Sequence, residues 1–137
     1  MPNSMWEESM RIGFPEFDEA RKHMVEIIEK LDIDPCHSLK NEFFLIRFRV
    51  MEAAVLALFE QEELLMTKWG VPDDKKNPHI AEHSRILSAL AEVYIASMNN
   101  GKENALEVYV RFKNTLRGHI TNIEYSLRNY VPASQSN

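Results

Sequence analysis

His79 and His83 stand four residues apart, with the pair Glu62-Glu63 upstream and His119 downstream. On a helix, positions i and i+4 share a face, so both imidazoles can reach one ion while a carboxylate and a third imidazole arrive from neighbouring helices. Helical bundles build metal sites in this way. Glu62 falls among Leu58, Leu65, Met66 and Trp69, on a face that should be buried. An unpaired buried charge costs several kcal/mol, so this carboxylate needs a cation, a hydrogen-bond network or a metal. The plainer alternative is that Glu62 only pairs with Arg21 or a histidine. Glu63 should point away from the core as a solvated neighbour. His23 lies off its helix's apolar stripe and His37 in a loop, so both are expected at the surface, and Cys36 is expected to be a loop thiol without a role.

Periodicity divides the chain into an N-terminal arm and four helices, with nothing that reads as a strand. The arm, about 1–15, carries Trp6, Ile12 and Phe14, broken by Gly13 and Pro15. It should pack across the helices, although Trp6 could equally serve a homodimer contact. A first helix from Glu16 to Leu31 buries Phe17, Met24, Ile27, Ile28 and Leu31. The second runs from a cap at Ser38 towards Trp69, stopped by Gly70, with Met51, Val55, Leu58, Glu62, Leu65, Met66 and Trp69 inward. The third opens at Asn77-Pro78 and closes at Asn99-Asn100-Gly101, with His79, His83, Ile86, Leu87, Leu90 and Tyr94 inward. A fourth, Lys102 to Asn129, turns in Leu106, Tyr109, Phe112, Leu116, His119, Ile120, Ile123 and Leu127. Short connections favour antiparallel neighbours, so the expected fold is an all-α, up-down-up-down four-helix bundle in a single domain over 1–137. In that arrangement Glu62, His79, His83 and His119 meet at one level.

Of the 137 residues 45% are hydrophobic and 27% charged, ordinary proportions for a folded chain. A net charge of −5 without a basic cluster argues against a nucleic-acid partner. No apolar run approaches the roughly 20 residues needed to span a bilayer, and the first residues carry no signal-peptide pattern. With a single cysteine, the expectation is a cytoplasmic protein without membrane contact.

The residues also carry a family resemblance. Trp6, Gly13 and Asp18 have the spacing of a known arm and first-helix start. Phe59, Glu62-Glu63 and Met66 match the tail of a His-Phe-x-x-Glu-Glu-x-x-Met motif, and His79-x-x-x-His83 and His119-Ile120 match two further histidine motifs. From Trp6 to about Leu127 the chain resembles a bacterial hemerythrin. The resemblance implies a non-haem di-iron centre that binds oxygen, held by five histidines and two bridging carboxylates. Arg21 and Leu58 stand where that pattern has two histidines, and Glu124 where it has its final aspartate. His23, about 200° round the helix from the first of these, is a poor substitute. In the pattern that the chain resembles, both missing histidines are ligands of the iron on which oxygen binds, while the positions of His79, His83 and His119 belong to the other.

The expectation is therefore a single ion held by His79, His83, His119, Glu62 and Glu124. Arg21 would place a permanent cation at the vacated position, able to bind Glu62 and Glu124, and Leu58 would fill the remaining volume. Such donors suit ferrous iron, zinc or manganese; the resemblance favours iron. One ion cannot supply the two electrons that a bound peroxide draws from two irons, which leaves three functions. The chain is a small metal protein sensing or buffering iron, oxygen or nitric oxide; or a metal-free interaction module closed by an Arg21/Glu62/Glu124 salt-bridge cluster; or a mononuclear iron enzyme. Any signalling partner is expected to be a separate protein.

Overall fold

The computed structural model describes residues 6–31, 42–98 and 105–132, without the side chains of 42–44 and 123. Cys36, His37 and Ser38 lie outside the described residues, as does the inward position expected of Ile123. All regular structure among them is helical: α1 (Pro15–Lys30), α2 (Glu42–Lys68), α3 (Asp73–Ser97) and α4 (Ala105–Gly118). The chain beyond α4 continues as a π-helical segment, His119–Glu124, and a 3-10 segment, Tyr125–Asn129. Among the described residues no helix is long and apolar enough to cross a membrane.

Each boundary has a local cause. Pro15 occupies the first position of α1, where its missing N–H costs nothing. At the end of α2, Gly70 adopts φ +70, Val71 N–H bonds Met66 O at 2.9 Å and Gly70 N–H bonds Thr67 O at 3.2 Å. This is the Schellman closure that a left-handed glycine permits. α3 opens at Asp73, one turn earlier than Asn77-Pro78 suggests. The Pro72 carbonyl accepts both Lys75 and Lys76 N–H groups, Asp73 and Asp74 favour the positive end of the helix dipole, and Pro78 is left inside the helix.

Phe48 meets Tyr94 at one end of the α2/α3 pair and Glu62 meets His79 and His83 at the other, so these helices run in opposite directions. The α1/α4 pair does the same: Tyr109 donates to Ile28 O, and Arg21 reaches Ile120 and Glu124. The four helices and the arm share one core, built on Phe17, Phe48, Met51, Met66, Ile86 and Phe112. Trp6 is buried in it, under the Arg21 guanidinium at 5.2 Å, so the arm packs on its own chain. The expectations for Phe17, Met24, Val55, Leu58, Leu90 and Leu116 hold. Leu106 does not follow, since it is 40% exposed while its neighbours Ala105 and Val108 turn inward.

Candidate metal centre

Glu62 is contributed by the α2 stripe, His79 and His83 by successive turns of α3, and His119 by the first residue of the π segment. All four are buried, the most exposed being His79 at 4%. Their ligand atoms lie within 4.8 Å of one another. The sequence spacing therefore brings together four of the five expected donors. Glu62 Oε1 is the focus: His79 Nε2 lies 2.7 Å away, His83 Nε2 2.8 Å and His119 Nε2 3.2 Å.

Glu124, the fifth, stands beside this group, its Oε2 3.3 Å from His119 Nε2. His119 and Glu124 are five residues apart, which in an α-helix separates them by about 140°. The wider π winding, with bonds from i to i+5, returns both to one face. A uniform fourth helix, as the sequence suggests, would have turned one of them outward.

Glu63 corrects a second expectation. Its carboxylate is 40% exposed, yet Oε2 lies 2.8 Å from His83 Nδ1. An ionised carboxylate only accepts, so His83 carries its proton on Nδ1 and its Nε2 presents a lone pair in the neutral ring. That lone pair faces the Glu62 carboxylate, an arrangement that demands a proton or a metal cation between them. Phe59 stacks on the same imidazole, centroids 3.9 Å apart, and fixes its plane. The adjacent carboxylates at 62 and 63 are the signal that sequence reasoning missed, because one helical step of about 100° turns the second towards α3.

Arg21 is fully buried and four of its five N–H donors are bonded. Nε bonds Glu124 Oε1 at 2.7 Å, Nη1 bonds Met10 O at 2.7 Å and Asp18 Oδ1 at 3.1 Å, and Nη2 bonds Ile120 O at 3.1 Å. Asp18 in turn accepts from the Ile12 and Gly13 amides, tying down the arm. The expected fork onto both glutamates is thus corrected: Arg21 bonds Glu124 and Asp18, and not Glu62. Leu58 is buried, and His23 is exposed as expected.

Electrostatics divide the group. Burial pushes Glu62 up, but its bonds to Glu124, His119, His79 and His83 outweigh this and hold it well below the usual carboxylate range. Glu124 is pushed up to about 6 by burial and by the neighbouring Glu62 charge. Burial disfavours the His119 imidazolium, yet Glu124 and Glu62 raise it to about 10, while burial lowers His79. Glu62 Oε2, Glu124 Oε2 and His119 Nδ1 are buried without a hydrogen bond.

A metal ion fits this donor set. Donors about 2.1 Å from an ion in a four-coordinate site lie about 3.4 Å apart, so an ion entering here would draw the imidazoles inward and push Glu62 Oε1, which now sits where their Nε2 atoms converge, aside by about 1 Å or more. Three imidazoles and one carboxylate could hold such an ion, and Glu63 would orient His83 from behind. A cleft of about 450 Å³ between the start of α3 and the chain beyond α4, lined by His79, Pro78, Met66, Leu127 and Tyr130 among others, borders the group from outside. Comparison with protein-family models, curated proteins and solved structures gives no match.

Proposed function

We propose that this chain is a hemerythrin-like, non-haem metal protein that holds one ion, iron by resemblance, in a cytoplasmic up-down-up-down bundle, and that it senses or buffers iron, oxygen or nitric oxide. The observation that carries the reading is the convergence of three imidazole Nε2 atoms on a single buried carboxylate oxygen, with Glu63 fixing the His83 tautomer for ligation. Zinc and manganese are compatible with the same donors.

His79, His83, His119 and Glu62 would hold the ion, with Glu124 within reach as a fifth donor. When bound, ferrous iron supplies a redox-active centre to which a diatomic gas can bind. The chain's own contribution is positioning and exclusion. Phe59 and Glu63 lock one imidazole, Arg21 anchors Glu124 at Oε1, and Leu58 keeps the volume beside the group apolar. Complete burial restricts access to small ligands, and the cleft at His79 gives them an approach.

A second reading has its own support: His119 held protonated by Glu62 and Glu124 would balance the cluster without a metal. The chain would then be an interaction module. Loading the anaerobic, chelator-stripped protein with ferrous iron and adding nitric oxide separates the readings. The metal-protein reading expects iron retention through gel filtration, loss of it in His83→Ala, and a new visible absorption with the gas. Failure to retain any metal would sink that reading and leave the interaction module.

A further inference from the structure

α2 is apolar on two opposite faces. Met51, Val55, Leu58 and Met66 point into the core, whereas Ile46, Val50, Ala53, Ala57 and Leu64 form a second stripe about 180° away. Their spacing of 4, 3, 4 and 7 residues is a heptad seam with one polar member, Glu60, at the position the last step passes over, and the larger apolar members are open to solvent: Leu64 is 73% exposed, Ile46 60% and Val50 50%. A seam of this kind on the outside of a helix marks a surface that another helix covers.

We propose that its occupant is the α2 of a second copy of this chain, packed antiparallel about a two-fold axis near Val55. Charge and shape both select that partner. Arg49 borders the stripe, over the Tyr94 ring and with its Nη1 2.9 Å from the Glu52 carboxylate, and Glu60 occupies the seam position between Ala57 and Leu64 in the opposite half of the helix. Antiparallel pairing sets Arg49 of one copy beside Glu60 of the other, and the two-fold repeats the pair. A parallel arrangement would bring like charges together. The same register places Ile46 opposite Leu64 of the copy and Ala53 opposite Ala57, so the small residues meet at the axis and let the backbones approach. Beside Ile46, between α1 and α2, a groove of about 420 Å³ is lined by Ile27, Lys30, Leu31, Arg47 and Val50. Leu64 of the second copy lies at the right height to enter it, a knob and hole made twice by symmetry.

Sedimentation equilibrium of the full chain, with thiol reductant because of Cys36, tests this directly. The wild type is expected to be a dimer, and Leu64→Glu a monomer with unchanged circular dichroism. Arg49→Glu alone should weaken the dimer about tenfold, and Arg49→Glu combined with Glu60→Arg should restore it, an exchange that a merely structural effect would not rescue. A wild-type monomer at all concentrations would overturn the proposal, as would a dimer that survives Leu64→Glu or a charge exchange without rescue. Capture of a different protein on this face, with the chain itself monomeric, would overturn it too.

Discussion

Around Arg21 the guanidinium faces two carboxylates and two backbone carbonyls, all buried, and the one carboxylate oxygen there left without a hydrogen bond is Glu124 Oε2, which looks away from Arg21 towards His119 at 3.3 Å. Around Glu62, on the other side of Glu124, three imidazole nitrogens crowd one oxygen, and Glu62 Oε2 and His119 Nδ1 have no hydrogen bond. One half of the polar core contains its own cation; the other half is arranged for one that the chain supplies only by protonating His119. The contrast teaches that buried acids do not by themselves mark a metal position. What distinguishes the two halves is whether the donors are already saturated.

Breaking the saturated half should have the largest effect. Arg21→Met leaves Asp18 and Glu124 buried without their cation and should cost about 3–5 kcal/mol in urea unfolding; a loss under about 1 kcal/mol would show that the two halves are not distinct. In the other half, stability should depend on metal. At an ion concentration about 1,000 times Kd, bound metal stabilises by about 4 kcal/mol, so a chelator should lower Tm in wild type and leave His83→Ala unmoved. Equal melting of wild type with and without chelator would favour the closed charge cluster. Glu63→Gln keeps the size but weakens the orienting bond to His83. Metal affinity should fall by about 10–100-fold, with little change in the stability of the stripped protein.

The gentlest test is pH. With His119 raised to about 10 when folded and near 6.5 when unfolded, the folded chain binds the extra proton between those values. In stripped protein this stabilisation is fully present below about pH 6.5 and lost as pH rises through about 10. The slope is at most about 1.4 kcal/mol per pH unit. Bound metal makes His119 a neutral ligand and should flatten the curve between pH 7 and 9. A stripped protein equally flat over that range would contradict the protonated cluster.

Much of this site was legible because its signals are periodic. His79 and His83 share a face by spacing alone, and Glu62 falls inside an otherwise apolar stripe, so four donors could be brought to one level from sequence. Departures from ideal helix geometry were not legible. His119 and Glu124 share a face only through π winding, which no pattern of residue types announces. Asn77-Pro78 suggests the start of α3, whereas the helix begins a turn earlier through a main-chain cap at the Pro72 carbonyl, which has no residue-type signature, and keeps Pro78 inside it. Glu63 looked solvated because a helical wheel records direction, not how far a half-exposed side chain reaches towards a neighbouring helix. Arg21 was placed correctly as a buried cation, but its partners included main-chain carbonyls of the arm and of the π segment, which carry no residue-type signature.

Metal titration of the stripped chain under anaerobic conditions, followed by elemental analysis, tests the central claim. One ion per chain, rising to two when Arg21→His and Leu58→His are combined, is the expected result. Two ions in the wild type would show that Arg21 does not close its half of the core, and none would show that the histidine half needs only its own proton.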